Sequence, residues 1–181
     1  MEKKRLFVGI FIDSKSLNKD YTKLKRDFGG ILPGKWVKPE NFHITLKFLG
    51  YVESSKIDDI KTSLRKILNT NYKETITLNG LGVFPNIDNP KVLYIDVKEV
   101  SILYDLNSVV EEKLSFLGFE KEKKPFKPHI TIKRIKSKID KEKFLTKFAK
   151  YKNYPFGNIK SFEVSLIESI TLPSGAIYRK I

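Results

Sequence analysis

HITLKF, residues 43–48, and HITIKR, residues 129–134, are nearly the same six residues, and between them they hold both histidines of the 181-residue chain. Each alternates polar with β-branched or apolar side chains, the pattern of a half-buried strand. On a strand alternate residues share a face, so His43 and Thr45 point one way while Ile44 and Leu46 point the other. His129 and Thr131 repeat the arrangement, backed by Ile130 and Ile132. Residues two apart on a strand lie roughly 6 to 7 Å apart at their backbones, so an imidazole and a hydroxyl can reach one phosphate. Strict alternation puts Lys47 and Lys133 on the histidine face and Arg134 on the other, unless a bulge turns Arg134 back.

The surroundings of the two phrases match as well. LFVGIFI (6–12) is β-rich, and Leu17, Tyr21, Leu24 and Phe28 follow at helical spacing up to a Gly-Gly stop. After the first phrase, Ser55 with Asp58 resembles a capping box, ahead of an apolar stripe of Ile57, Ile60, Leu64 and Leu68. TITLNGLGVF (75–84) returns to β character. The order then recurs: VLYIDV (92–97), a stripe through Leu103, Leu106, Val110, Leu114 and Leu117, the second phrase, and a helix around Phe144, Phe148 and Tyr151. SFEVSLIESI (161–170) closes it, with AIYRKI (176–181) as an extra strand.

This predicts an α+β protein of two β-α-β-α-β units, about 1–88 and 89–181, related by a pseudo-two-fold axis. No Gly/Ser-rich linker separates them, so one domain over 1–181 is expected.

Composition restricts the partners. Thirty-five Lys and Arg against 21 Asp and Glu leave a formal charge of +14, which favours polyanions. With no cysteine, disulfides, thiolate nucleophiles and thiolate metal sites are excluded, and a reducing cytoplasm fits. The opening MEKKRLFVGIFIDS is interrupted by Asp13 and reads as a strand rather than a leader. No apolar run approaches the roughly 20 residues needed to cross a bilayer, so no membrane partner is expected.

Two imidazoles around one phosphate form an acid and base pair for in-line displacement, because an unperturbed pKa near 6.5 populates both forms near neutrality. Threonine hydroxyls would hold the non-bridging oxygens, and a nearby cation would offset developing charge. Nothing in the arrangement requires a metal or cofactor. A zinc site normally needs a third protein ligand, which neither phrase supplies. There is no G-x-S-x-G elbow and no Walker loop.

The chain resembles the 2H phosphoesterases, specifically the RNA 2′,3′-cyclic phosphodiesterases, also described as 2′-5′ RNA ligase-like proteins. The resemblance runs through RLFVGIFID, KWVKPENFHITLKFLG, GLGVFPN with PKVLYIDV, LGFE, PFKPHITIKR and VSLIESITLPSGAIY. It implies a bilobal fold with two antiparallel sheets flanking a central cleft. It also implies opening of a terminal 2′,3′-cyclic phosphate to a 2′-phosphomonoester without a metal. By motif, His43 would be the proton donor, His129 the proton acceptor, and Thr45, Thr131 and Arg134 the phosphate ligands. Lys133 departs from relatives that commonly carry a small residue before that arginine. Implied partners are RNA ends bearing the cyclic phosphate, with tRNA halves and small cyclic nucleotides as candidates. A cytoplasmic monomer is expected. Trp36, Phe42, Phe48, Phe84 and Phe126 surround the phrases, as core or as surfaces for bases. Two other readings stand beside this one: 2′-5′ RNA ligation or cleavage at the same site, and a non-catalytic basic RNA-binding module.

Overall fold

In the computed structural model, which describes residues 2–98 and 100–181, the elements run in the order β1 (Lys3–Phe11), α1 (Asn18–Phe28), β2 (Gly34–Trp36), β3 (His43–Glu53), α2 (Ile57–Ser63), β4 (Asn71–Tyr72), β5 (Ile76–Phe84) and β6 (Val92–Val97). There follow α3 (Ser101–Ser115), β7 (His129–Ile135), α4 (Lys141–Ala149), β8 (Pro155–Ile159), β9 (Phe162–Glu163), β10 (Ser165–Leu172) and β11 (Gly175–Lys180). The alternating sequences at 6–12, 43–48, 92–97 and 129–134 are all strands. The stripes at 17–28 and 103–117 form α1 and α3, with Tyr21, Leu24, Phe28, Leu103, Leu106, Val110 and Leu114 buried.

One helix is shorter than its stripe. α2 begins after a 3₁₀ turn at Ser54–Lys56, has no side-chain cap, and ends at Ser63. Ser55 is therefore not a capping residue, and Leu68 makes a parallel bridge to Val164 instead of extending the helix. Short strands β2, β4 and β8 carry too few alternating residues to stand out in the sequence.

The strands follow the order β11-β10-β1-β3-β7-β6-β5-β8, all antiparallel, with β2 also on β7. At the middle of this path β3 meets β7 only at Ile44 opposite Ile130. A four-stranded half and a five-stranded half, the latter including β2, therefore join at one pair, and that pair marks the pseudo-two-fold axis. Sequence halves and spatial halves are different partitions. β10, from the second half of the chain, lies on β1, while β5, from the first half, lies on β6. Helices cross over too, since α2 packs against α3 and α1 against α4. Each lobe is thus built from both repeats, and the two are intertwined rather than merely tethered.

Ile10, Ile44, Leu46, Leu93, Ile95, Ile130 and Ile132 point away from the histidines into the helix-covered core, all at most 3% exposed. Burying each such side chain stabilises by about 1.5 to 3 kcal/mol, so the backs of the two motif strands are held firmly. Phe7, Tyr94 and Ile167 are buried as well, but outside that core cluster. Phe7 and Tyr94 lie on the histidine side and pave it. No helix among the described residues is long and apolar enough to cross a membrane.

Candidate active site

Antiparallel pairing with Ile44 opposite Ile130 has a direct consequence at the next residues out. His43 falls across from Thr131, and Thr45 across from His129, so both H-x-T pairs share one face around the axis. The two imidazoles are brought together by the register of two strands 86 residues apart, which no local signal contains.

Both motif strands carry a bulge just after the threonine. Gly9 pairs with Thr45 and Val8 with Lys47, leaving Leu46 unpaired; Tyr94 pairs with Thr131 and Leu93 with Lys133, leaving Ile132 unpaired. One extra residue reverses the alternation from that point onward. The strict-alternation expectation for Lys47, Lys133 and Arg134 is therefore overturned for all three. Lys47 turns into the interior, where its Nζ donates to Glu111 Oε2 at 2.6 Å and to the Glu120 carbonyl at 2.7 Å. Lys133 lies 2% exposed with Nζ 4.2 Å from the centre of the Trp36 ring. Arg134 instead emerges on the histidine face, lining a cavity with His43 and Thr131. Its counterpart in the first motif is Phe48, which is 61% exposed and 5.7 Å from the Phe7 ring.

Each imidazole is held in the same way. His43 Nδ1 lies 2.7 Å from the carbonyl of Asn41, and His129 Nδ1 lies 2.7 Å from the carbonyl of Lys127. A carbonyl can only accept, so Nδ1 carries the hydrogen in both rings, and Nε2 is the nitrogen left to take or give a proton. Asn41 is itself anchored, its side-chain amide donating to the Ala176 carbonyl at 2.7 Å. The i−2 carbonyl is local in sequence, yet nothing in residue type announces it.

Aromatic rings flank each histidine. Phe7 and Tyr178 lie 4.8 and 4.9 Å from His43, and Phe84 and Tyr94 lie 4.9 and 5.1 Å from His129. Gly82 makes this possible on the second side, because a Cβ there would fall 2.2 Å from the Tyr94 ring. Phe7, Tyr94 and Tyr178 were not singled out in the sequence; period-two patterning marks them as strand residues without saying which sheet face they occupy. Phe42, by contrast, is core, and Trp36 and Phe126 are half-buried against it.

Burial depresses the protonation of both rings. It lowers His43 to about 4; the Asn41 carbonyl opposes that, while the charges of His129 and Arg134 add to it. His129 is lowered chiefly by burial too, with its Lys127 carbonyl bond opposing. The Lys127 ammonium and Arg134 push it further down, and Asp96 pushes it up. Asp96 sits across from His129 in the β6–β7 ladder, where Phe11 sits across from His43. Its Oδ1 lies 3.1 Å from Lys127 Nζ, as an ion pair without hydrogen-bond alignment. The environments of the two histidines are therefore similar but not equal. Among the described residues no group of three or more His, Cys, Asp or Glu is placed to hold a metal ion.

What remains is two neutral imidazoles with free Nε2 atoms, two hydroxyls and one guanidinium converging on a single face. That set can bind an oxyanion and move protons on either side of it.

The family described as LigT-like phosphoesterase matches the chain twice, over residues 12–94 and 95–178. The chain is 36% identical over 177 residues to a protein of Archaeoglobus fulgidus named RNA 2′,3′-cyclic phosphodiesterase, covering 98% of this chain and 97% of that one. Among solved structures, a Thermus thermophilus protein superposes with a TM-score of 0.74 at 22% identity, covering 98% of this chain and 94% of the other. Escherichia coli LigT in complex with 3′-AMP superposes at 0.72 and 19% identity, covering 99% and 96%. These two structures share its fold.

Proposed function

The chain belongs to the LigT-like phosphoesterase family, and from that premise we propose that it hydrolyses the terminal 2′,3′-cyclic phosphate of RNA to a 2′-phosphomonoester by paired-histidine acid and base catalysis. The observation that carries the mechanism is the register of β3 on β7, which puts two H-x-T pairs on one face around a pseudo-dyad.

His129 Nε2, neutral because burial holds its pKa down, removes a proton from a water molecule. The water oxygen attacks phosphorus in line with the 3′ oxygen. The P–O3′ bond breaks as the P–O bond to water forms, and His43 Nε2 delivers a proton to the departing 3′ oxygen. The product carries a 2′-phosphate and a 3′ hydroxyl, with one proton moved from the base side to the acid side. Thr45 and Thr131 donate to the non-bridging oxygens, and Arg134 supplies a planar cation to the charge that grows in the transition state.

His43 must be protonated to play its part, and alone it is not, since its pKa is about 4. The anionic ester supplies what is missing, because a negative charge beside the ring favours the imidazolium. Substrate binding therefore takes up a proton. The near-equivalence of the two motifs leaves the donor and acceptor assignment resting on family resemblance, with the Asp96 carboxylate near His129 as the main electrostatic difference.

The test is turnover of an oligoribonucleotide ending in a 2′,3′-cyclic phosphate, with product identification. His43→Ala and His129→Ala should each lower kcat by about 10²- to 10⁴-fold. Undiminished turnover in either variant would remove the mechanism. RNA binding that persists in the double variant, with no turnover by the unmodified protein, would mark a binding module instead.

A further inference from the structure

Cations flank both histidines, and Lys121, Lys123 and Lys124 ahead of His129 take part in no ion pair among the described residues. What distinguishes the His43 end is a cavity that gathers three cations. At the His129 end, Lys47 is taken up by Glu111 and Lys127 by Asp96, and Phe48 stands in the place of Arg134. At the His43 end, Lys35, Lys38 and Arg134 take part in no ion pair among the described residues. All three line one cavity of about 150 Å³, walled by Trp36 and Tyr178 and containing His43.

That cavity is assembled rather than incidental. It lies between residues 35–41 and the β10–β11 hairpin, which are bonded twice: Lys35 Nζ to the Ser174 carbonyl at 3.2 Å and Asn41 to the Ala176 carbonyl at 2.7 Å. Lys35 is the direct cross-strand partner of Arg134, so the two share a face. They sit three residues beyond Thr131 along β7, roughly 10 Å of strand. The long Arg134 side chain turns back over that distance and lines one cavity with His43 and Thr131, whereas Lys35 Nζ is tied to the Ser174 carbonyl and away from them. Lys35 is turned still farther out, toward the hairpin. Its position suits a second phosphate, one nucleotide away from the reacting one.

We infer that the outer end of this cavity, between Lys35, Lys38 and the β10–β11 hairpin, is a subsite for the upstream phosphodiester of an RNA 3′ end, and that the RNA chain leaves the site past that hairpin. The subsite selects oligonucleotide ends over free cyclic mononucleotides, because only the former carry a phosphodiester on the 5′ side of the terminal nucleoside. The inference rests on the RNA reading above and adds a polarity to it.

The experiment compares adenosine 2′,3′-cyclic phosphate with the dinucleotide ApA ending in the same cyclic phosphate, in the unmodified protein and in Lys35→Ala/Lys38→Ala. The dinucleotide-to-mononucleotide ratio of kcat/KM should fall by about fivefold or more in the variant. Its log–log salt slope for the dinucleotide should shrink by about 0.7, as for one lost contact to single-stranded nucleic acid. A ratio that does not move, or equal losses on both substrates, overturns the subsite. Calorimetric affinities for ApAp and 3′-AMP make the same comparison without turnover. Should the unmodified protein open neither cyclic ester, the hydrolase reading falls, and the binding ratio still decides the subsite.

Discussion

Replacing His43 with glutamine should flatten the dependence of stability on acidity. Glutamine keeps a donor for the Asn41 carbonyl but cannot titrate in this range. In the folded protein His43 protonates at about 4 rather than 6.5, so the folded state refuses a proton that the unfolded chain accepts. Above pH 6.5 neither state holds it and the full stability is present. As pH falls from 6.5 to 4 the unfolded chain is favoured progressively, and below 4 both states are protonated and the loss is complete. At about 1.4 kcal/mol per pH unit, that window is worth roughly 3 kcal/mol. His129 acts in the same direction, and lowered carboxylates such as Asp27 and Glu163 add losses on acidification. The informative quantity is therefore the difference between the unmodified protein and H43Q. Urea denaturation at pH 7, 5.5 and 4 should show the stability gap between them shifting by up to roughly 3 kcal/mol across the series. Parallel curves would refute the claim that the aromatic surround of His43 holds it neutral. A bound 3′-phosphate should shrink the slope, since it supplies the charge that burial withholds.

The same electrostatics set the rate profile. kcat/KM should be bell-shaped with its optimum on the acid side of 6.5, and the optimum of kcat should lie higher, because bound substrate raises both imidazoles. Coincident optima would contradict this. Arg134→Lys keeps the charge and loses the fork, and should lower kcat/KM by about tenfold or more, read by steady-state kinetics on the cyclic dinucleotide. Glu111→Ala strands Lys47, whose side chain is only 5% exposed, and should cost about 3 to 5 kcal/mol by denaturation. The double variant Lys47→Met/Glu111→Leu should recover most of it.

The two H-x-T phrases and the repeated order of elements around them are plain in the sequence, because strand and helix periods depend only on nearby residues. The chemistry suggested for His43, Thr45, His129 and Thr131 could be proposed for the same reason: side chains two apart on a strand must share a face. The duplicated phrase also implied an axis between the copies, and the Ile44–Ile130 pair lies on it.

What local pattern could not supply was anything governed by partners distant in the chain. The bulges after Thr45 and Thr131 arise from how β1 and β6 pair with the motif strands, and they alone exchange the burial of Lys47 and Lys133 for the emergence of Arg134 and Phe48. The crossing of β5 and β10 between lobes, the pairing of Lys47 with Glu111, and the rings of Phe7, Tyr94 and Tyr178 around the imidazoles are likewise long-range contacts. A sequence of alternating residues states that one face is polar and the other apolar; which face meets water, and which phosphate-sized space it borders, is decided only when the sheets close on each other.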